Sequence, residues 1–149
     1  MPSRTLKRMD YRHGAHTKFE IHVHIVWVTK YRKPIMSGEV GARVRELIRQ
    51  VCRDEDVEIL KGSVSKEHVH VFLSIPPKVT ISRLVQRMKG YSSYKLMLEF
   101  KHLEKTFWGR HLWARGYFCV SSGQVTDDVI KAYIENQGQE DDGDFRVES

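Results

Sequence analysis

Two stretches of this chain alternate in hydropathy with the period of a β-strand, and each carries a histidine pair on its less apolar side. Between Phe19 and Thr29, Phe19, Ile21, Val23, Ile25 and Trp27 fall on one side and Glu20, His22, His24, Val26 and Val28 on the other. Between Glu67 and Ile75 the sides are Val69, Val71, Leu73 and Ile75 against His68, His70, Phe72 and Ser74. A period of two is incompatible with a helix, and one apolar face per strand calls for a single covering layer.

The remaining segments supply that layer. Lys30-Tyr31-Arg32-Lys33-Pro34 ends the first strand, and Ser37 caps a helix to about Arg53 with Val40, Val44, Leu47, Ile48 and Val51 as its buried stripe. A strand at about 57–64 precedes the histidine strand, which Pro76-Pro77 stops. Thr80 opens a long helix carrying Ile81, Leu84, Val85, Met88 and Leu96, with an interruption or kink expected near Gly90. A loop of aromatic and basic residues, about 107–115, leads to a fourth strand at about 117–121. Thr126-Asp127-Asp128 starts a final helix to Gln137, with Gly138 as its stop. The order βαββαβ plus one helix predicts an α+β, ferredoxin-like antiparallel sheet with helices on one face and the first and third strands central and adjacent. On that arrangement His22, His24, His68 and His70 share the open face.

A chain of 149 residues is one domain's worth. Its net charge of +6 hides an asymmetry: residues 1–137 hold 24 basic and 14 acidic side chains, whereas 138–149 hold five acids and Arg146. The organisation expected is a basic arm over 1–18, a folded domain over 19–137 and an acidic, disordered tail over 138–149. Such a basic body concentrates polyanions, nucleic acid first among them, although charge alone serves a solubilising surface equally well. Cys52 and Cys119 have no Cys-x-x-Cys spacing, which argues against a disulfide scaffold or zinc ribbon and for a reducing, cytoplasmic compartment. No apolar run approaches the length of a membrane span, and no signal core follows Met1.

Imidazoles at i and i+2 of a strand project side by side, so a pair can reach one divalent ion; the plainer reading of each pair is polar surface. At Glu67-His68-Val69-His70-Val71-Phe72-Leu73-Ser74-Ile75-Pro76-Pro77 the chain resembles the His-hydrophobe-His (HUH) strand of the single-tyrosine transposases of bacterial insertion sequences. Four other blocks resemble the same family in order: His24 to Arg32 its first strand, Lys89-Gly90-Tyr91-Ser92-Ser93 its central helix, Phe107 to Phe118 its fourth-strand entry, and Val129 to Gln137 its catalytic helix. The likeness covers about residues 19–137.

That resemblance implies metal-binding roles for His68, His70 and Gln137 and a nucleophilic role for Tyr133. It further implies single-stranded DNA with hairpins as substrate, a 5′-phosphotyrosine intermediate, and a homodimer whose subunits can exchange the tyrosine. Two neutral nitrogens and an amide oxygen suit Mg²⁺ or Mn²⁺. Tyr133 and Gln137, at i and i+4, share a helix face; the plain alternative packs Tyr133 into a stripe with Val129, Ile130 and Ile134. His22 departs from the family pattern and makes the first-strand pair a decoy or an accessory contact. A phenol of pKa about 10 is roughly one part in a thousand ionised at pH 7, a deficit of about 4 kcal/mol that the site must offset.

For DNA contacts, Arg83 and Arg87 with Lys89 and Lys95 form a basic ridge on the long helix. Tyr91, Tyr94, Trp108, Trp113 and Tyr117 interleave with Arg110 and Arg115, a composition suited to stacked bases beside held phosphates. Lys30, Arg32 and Lys33 are further candidates; the plain alternative makes Trp113, Tyr117 and Phe118 core, and it is the favoured reading for Phe118. Two rivals stand beside this reading. One is an HUH relative, a repeated-palindrome transposase or a replication-type nickase; the other is a non-catalytic nucleic-acid-binding module on the same sheet.

Overall fold

A computed structural model describes residues 21–107, 111–121 and 127–140. The basic arm and most of the acidic tail, together with Trp108, Arg110 and Thr126, lie outside them. The elements run β1 (Ile21–Val28), α1 (Gly38–Asp54), β2 (Glu58–Val64), β3 (His68–Ile75), α2 (Ile81–Glu99), α3 (Lys101–Thr106), β4 (Phe118–Ser121) and α4 (Asp127–Glu140). The sheet is antiparallel in the order β2-β3-β1-β4, so the two histidine strands are central and adjacent as expected. Direct partners across β1 and β3 include His24 with Phe72, Val26 with His70 and Val28 with His68.

The apolar faces of β1 and β3 are buried against α1 and α2. Ile25, Trp27, Val69 and Leu73 meet Leu47, Leu84, Met88 and Leu96 in one core in which these eight are wholly or almost wholly buried. Gly41 allows α1 to approach the preceding segment, because a Cβ there would stand 2.5 Å from the Met36 carbonyl oxygen.

The opposite face is not left open. Val26 and Val28 are fully buried under Ile130 and Ile134 of α4, with Ala114 beside them and Phe118 and Tyr133 at the margin. Because α4 seals this face too, Ile25 to Thr29 are buried on both sides.

Two expected helix boundaries are corrected. α2 runs unbroken through Gly90 and ends instead at Phe100 (φ −120°, ψ 95°). A mid-helix glycine costs only about 1 kcal/mol, and the buried Leu84, Val85, Met88 and Leu96 hold the helix straight past it. α4 likewise passes Gly138 and reaches Glu140; a glycine permits a left-handed stop without requiring one.

After β1 the chain makes a tight turn in which Tyr31 and Arg32 both take left-handed backbone angles, φ 58° and 54°. Non-glycine residues in this region carry strain of order 1–3 kcal/mol. The turn is stapled by the Thr29 hydroxyl, which donates to the Lys33 carbonyl at 2.7 Å. It packs against α4, and the Arg32 guanidinium approaches the Ile134 carbonyl at 3.5 Å.

Candidate functional site

The register of the sheet assembles the site. Cross-strand partners lie on one face, so His68 and His70 stand beside Val28 and Val26, under the edge of α4. One row across the sheet reads His70, Val26, Phe118, from β3 through β1 to β4. At two strand spacings it is roughly 10 Å wide. Tyr133 packs on the far end of that row, its ring 5.5 Å from that of Phe118, and its hydroxyl oxygen is shut off from solvent. The tyrosine thus borders the stripe formed by Ile130 and Ile134 and also shares the histidine face.

The histidines are not equivalent. His68 is buried enough for desolvation to lower its pKa, against the opposing pull of the Glu67 carboxylate. Its Nδ1 is buried and has no hydrogen-bond partner among the described residues; the nearest acid oxygen, Glu67 Oε1, is 3.9 Å away, too long for a hydrogen bond. His70 Nε2 lies 3.1 Å from His24 Nδ1, an imidazole pair in which the tautomers decide the donor. The His24 ring stacks on Phe72 at 4.2 Å, and burial lowers its pKa as well. His22 is exposed, edge-on to Phe72. The first-strand histidines therefore divide. His24 touches one of the expected metal ligands, and His22 sits one pleat further out.

These residues fit a divalent cation in part. A neutral imidazole is the form that binds metal, and His68 presents a buried nitrogen with no hydrogen-bond partner. No group of three or more His, Cys, Asp or Glu side chains disposed to hold a metal occurs among the described residues. Gln137 lies on α4 one turn beyond Tyr133, with its side chain outside the described part.

The expected DNA-contact residues fall into two sets. Arg87 pairs with Glu55 and with Asp54 (3.2 Å), and Arg83 lies 3.7 Å from Glu55. The ridge therefore faces the acidic end of α1, in the helix layer across the sheet from His68 and His70. Lys89 donates to the Ala114 and Gly116 carbonyls at 2.9 and 2.7 Å, tying the β4 entry segment to α2. Lys30, Arg32 and Arg115 instead gather where β1 ends and β4 begins. There Lys30 donates its backbone N–H to the Leu112 carbonyl, and its ammonium lies 5.3 Å from the centre of the Tyr31 ring.

Trp113 corrects an expectation. It is buried, edge-on to Trp27, with its indole N–H donated to Ser92 Oγ and the Lys89 carbonyl, so it is core rather than a base-stacking surface. Tyr94 is exposed, while Tyr91 and Tyr117 are half-buried against the main core. No helix among the described residues is long and apolar enough to cross a membrane.

Comparison with known proteins finds relatives over most of this chain. The family described as "Transposase IS200 like" matches residues 17–137. The transposase for insertion sequence element IS200 of Salmonella typhimurium is 35% identical over 132 residues, covering 89% of this chain and 86% of the relative. A crystal structure from Deinococcus radiodurans R1, assigned as a transposase, superposes with a TM-score of 0.77 at 29% identity over 83% of this chain and 95% of its own. A REP-associated tyrosine transposase bound to a REP hairpin shares the fold, with a TM-score of 0.55 at 13% identity over 82% of this chain and 68% of its own. On the match that spans residues 17–137 and the sequence identity that accompanies it, the chain belongs to the IS200-like transposases.

Proposed function

We propose that this transposase cleaves and rejoins single-stranded DNA at hairpin-bearing element ends through a covalent 5′-phosphotyrosine on Tyr133. The observation that carries the reading is the seat of α4. The helix rests on Val26 and Val28, the cross-strand neighbours of His70 and His68, so the phenol and the two imidazoles belong to one face of one sheet.

In the proposed step the Tyr133 oxygen gives up its proton and bonds to the scissile phosphorus, and the bond to the 3′-oxygen breaks, that oxygen taking up a proton to become a free 3′-OH. The new ester keeps the energy of the phosphodiester, so a second 3′-OH can reverse the step without ATP. A divalent cation held by His68, His70 and Gln137, Mg²⁺ or Mn²⁺, would supply positive charge to the phosphate oxygens. The protein's part is to fix the two imidazoles on a central strand and to bring the phenol to the phosphate. Because the hydroxyl is shut off from solvent, α4 must shift before Tyr133 meets DNA. A homodimer in which the tyrosine of one subunit serves the histidines of the other is one way to achieve that shift. Lys30, Arg32 and Arg115 are the cations we assign to backbone phosphates, together with Arg110, which lies outside the described residues. Arg83, Arg87 and Lys89 would join only by exchanging their present partners. The setting is the cytoplasm, where the DNA is.

The test is incubation of a single-stranded hairpin oligonucleotide with Mg²⁺ and protein, followed by denaturing electrophoresis. Wild type is expected to form a covalent adduct and Tyr133→Phe none. His68→Ala should abolish metal-dependent cleavage while retaining hairpin binding, and His22→Ala should keep appreciable activity. An adduct with Tyr133→Phe would assign the nucleophile elsewhere. Hairpin binding by wild type without any adduct would favour the non-catalytic module.

A further inference from the structure

We propose that the cavity between α2 and the 111–117 segment holds one unpaired nucleotide of the DNA strand, beside the histidine-bearing end of the sheet. This inference rests on the reading that the chain acts on single-stranded DNA. The cavity measures about 570 Å³, within the range of small-ligand sites.

Its lining is chemically one-sided. Lys30, His111 and Arg115 contribute cations or cation-forming groups, and none of the described lining residues is acidic, in a chain with 19 Asp and Glu. From α2 come Ser82, Gln86, Lys89 and Ser93, spaced four, three and four residues apart and so on one helix face. Val85, Leu112 and Trp113 back the cavity from within the core, almost wholly covered, and half-buried Tyr117 adds an aromatic ring. A ligand matching this lining is flat and partly apolar, carries hydrogen-bonding edges, and bears a negative charge at its rim. A nucleotide has all of these properties, and inorganic phosphate has only the last.

The cavity is held open by the fold itself. Lys89 anchors the 111–117 wall through the Ala114 and Gly116 carbonyls, and the Trp113 indole is fastened to α2 from beneath. Gly90, an exposed lining residue in the middle of α2, is the telling position. A Cβ built there meets nothing of the protein within 4 Å. Its helical backbone needs no glycine, and alanine would favour the helix by about 1 kcal/mol. Gly90 thus leaves open space beside the cavity that a longer side chain would fill.

Location ties this cavity to the histidines. Thr29 donates its N–H to the Glu67 carbonyl on one side and bridges to Trp113 on the other. One residue, Thr29, thus links the backbone at the start of β3 to the cavity wall.

The probe is a 5′-phosphorylated trinucleotide, in each of its four homopolymeric forms, titrated into the full-length protein at fixed ionic strength. Amide signals of Gly90 and Ser93 and the Trp113 indole N–H are followed by NMR. At least one trinucleotide should move all three saturably. Gly90→Leu, which fills the space with a good helix former, should weaken that affinity at least tenfold, and so should Arg115→Glu. Gly90→Ala should change it less than about threefold, since the smaller methyl leaves most of the volume.

Wild-type affinity in a Gly90→Leu protein that keeps its folded Trp113 signal would overturn the proposal. So would shifts confined to the histidine-bearing face of the sheet. Should Gly90→Leu fail to fold, the exposed Arg115→Glu decides by the same three signals. The adduct assay on the same wild-type sample separates the two readings. Adduct without shifts at the cavity refutes the cavity alone; shifts lost in Gly90→Leu, without adduct, uphold the cavity and refute the phosphotyrosine chemistry.

Discussion

The two sides of the sheet are built to different standards. Between the sheet and α1 and α2 lies a deep core with Trp27, Leu47, Leu73, Leu84, Met88 and Leu96 essentially without solvent contact. On the other side α4 is seated on a small patch, with Ile130 and Ile134 over Val26 and Val28, and Tyr133 at its margin. The histidines ride on a strand fixed by the first core, and the tyrosine rides on a helix fixed by the second. The proposed chemistry therefore joins a rigid half to a half that can be lifted at modest cost, which a buried nucleophile requires.

Trp27→Ala is the strongest test of this contrast. Removing a fully buried tryptophan from the main core should cost about 3–5 kcal/mol, read as a lower denaturant midpoint with all probes moving together. Cys52 reports the same event chemically. It is buried in that core, with its thiol pushed up to about 12 mainly by desolvation, and should react with a thiol reagent only when the core opens. Labelling of Cys52 should thus accelerate in Trp27→Ala, and unchanged labelling would mean that the core is not one unit.

Ile134→Ala should cost less, about 2 kcal/mol at the low end for such a truncation, and should act locally. Amide exchange in α4 should rise while Cys52 labelling stays at the wild-type rate. A parallel rise in both would show that the two cores melt as one and would erase the distinction between rigid and movable halves.

The smallest effect concerns the helix layer alone. Arg43 grips Glu99 with a two-pronged ion pair, Nε to Oε1 at 2.7 Å and Nη2 to Oε2 at 2.9 Å, linking α1 to α2 at a partly exposed site. Arg43→Ala should lower stability by less than about 1 kcal/mol. The Arg43 hydrogen bond holds the Glu99 carboxyl below its usual range. Its contribution is therefore complete above the unfolded value near 4.3 and is lost as pH falls through the lower folded value. The gap between wild type and Arg43→Ala should narrow in acid, and a gap independent of pH would assign the effect to packing.

Alternation made the two central strands readable, because a period of two in Val23, Ile25, Trp27 and in Val69, Val71, Leu73 admits few other folds. The helix stripe Val40, Val44, Leu47, Ile48, Val51 was legible for the same reason. What stayed hidden depends on register and on distant partners. Nothing local states that His24 will stand 3.1 Å from His70, since that contact follows from how two strands slide against each other. Arg83 and Arg87 have the spacing of a phosphate ridge, yet their face meets Glu55 and Asp54, and the two Arg87 pairs join residues 32 and 33 positions apart. Trp113 has the composition of a stacking platform and becomes core because Lys89 and Ser92 receive its indole N–H. Glycine misled twice, at Gly90 and Gly138, because it permits a break that the surrounding packing declines.

From Ile25 to Thr29 the central strand has no outward side. It is a party wall: each residue there lines one room or the other, and no polar replacement finds water on either side. Rearrangement during a reaction must pass around this wall, in α4 or in the segments at its ends.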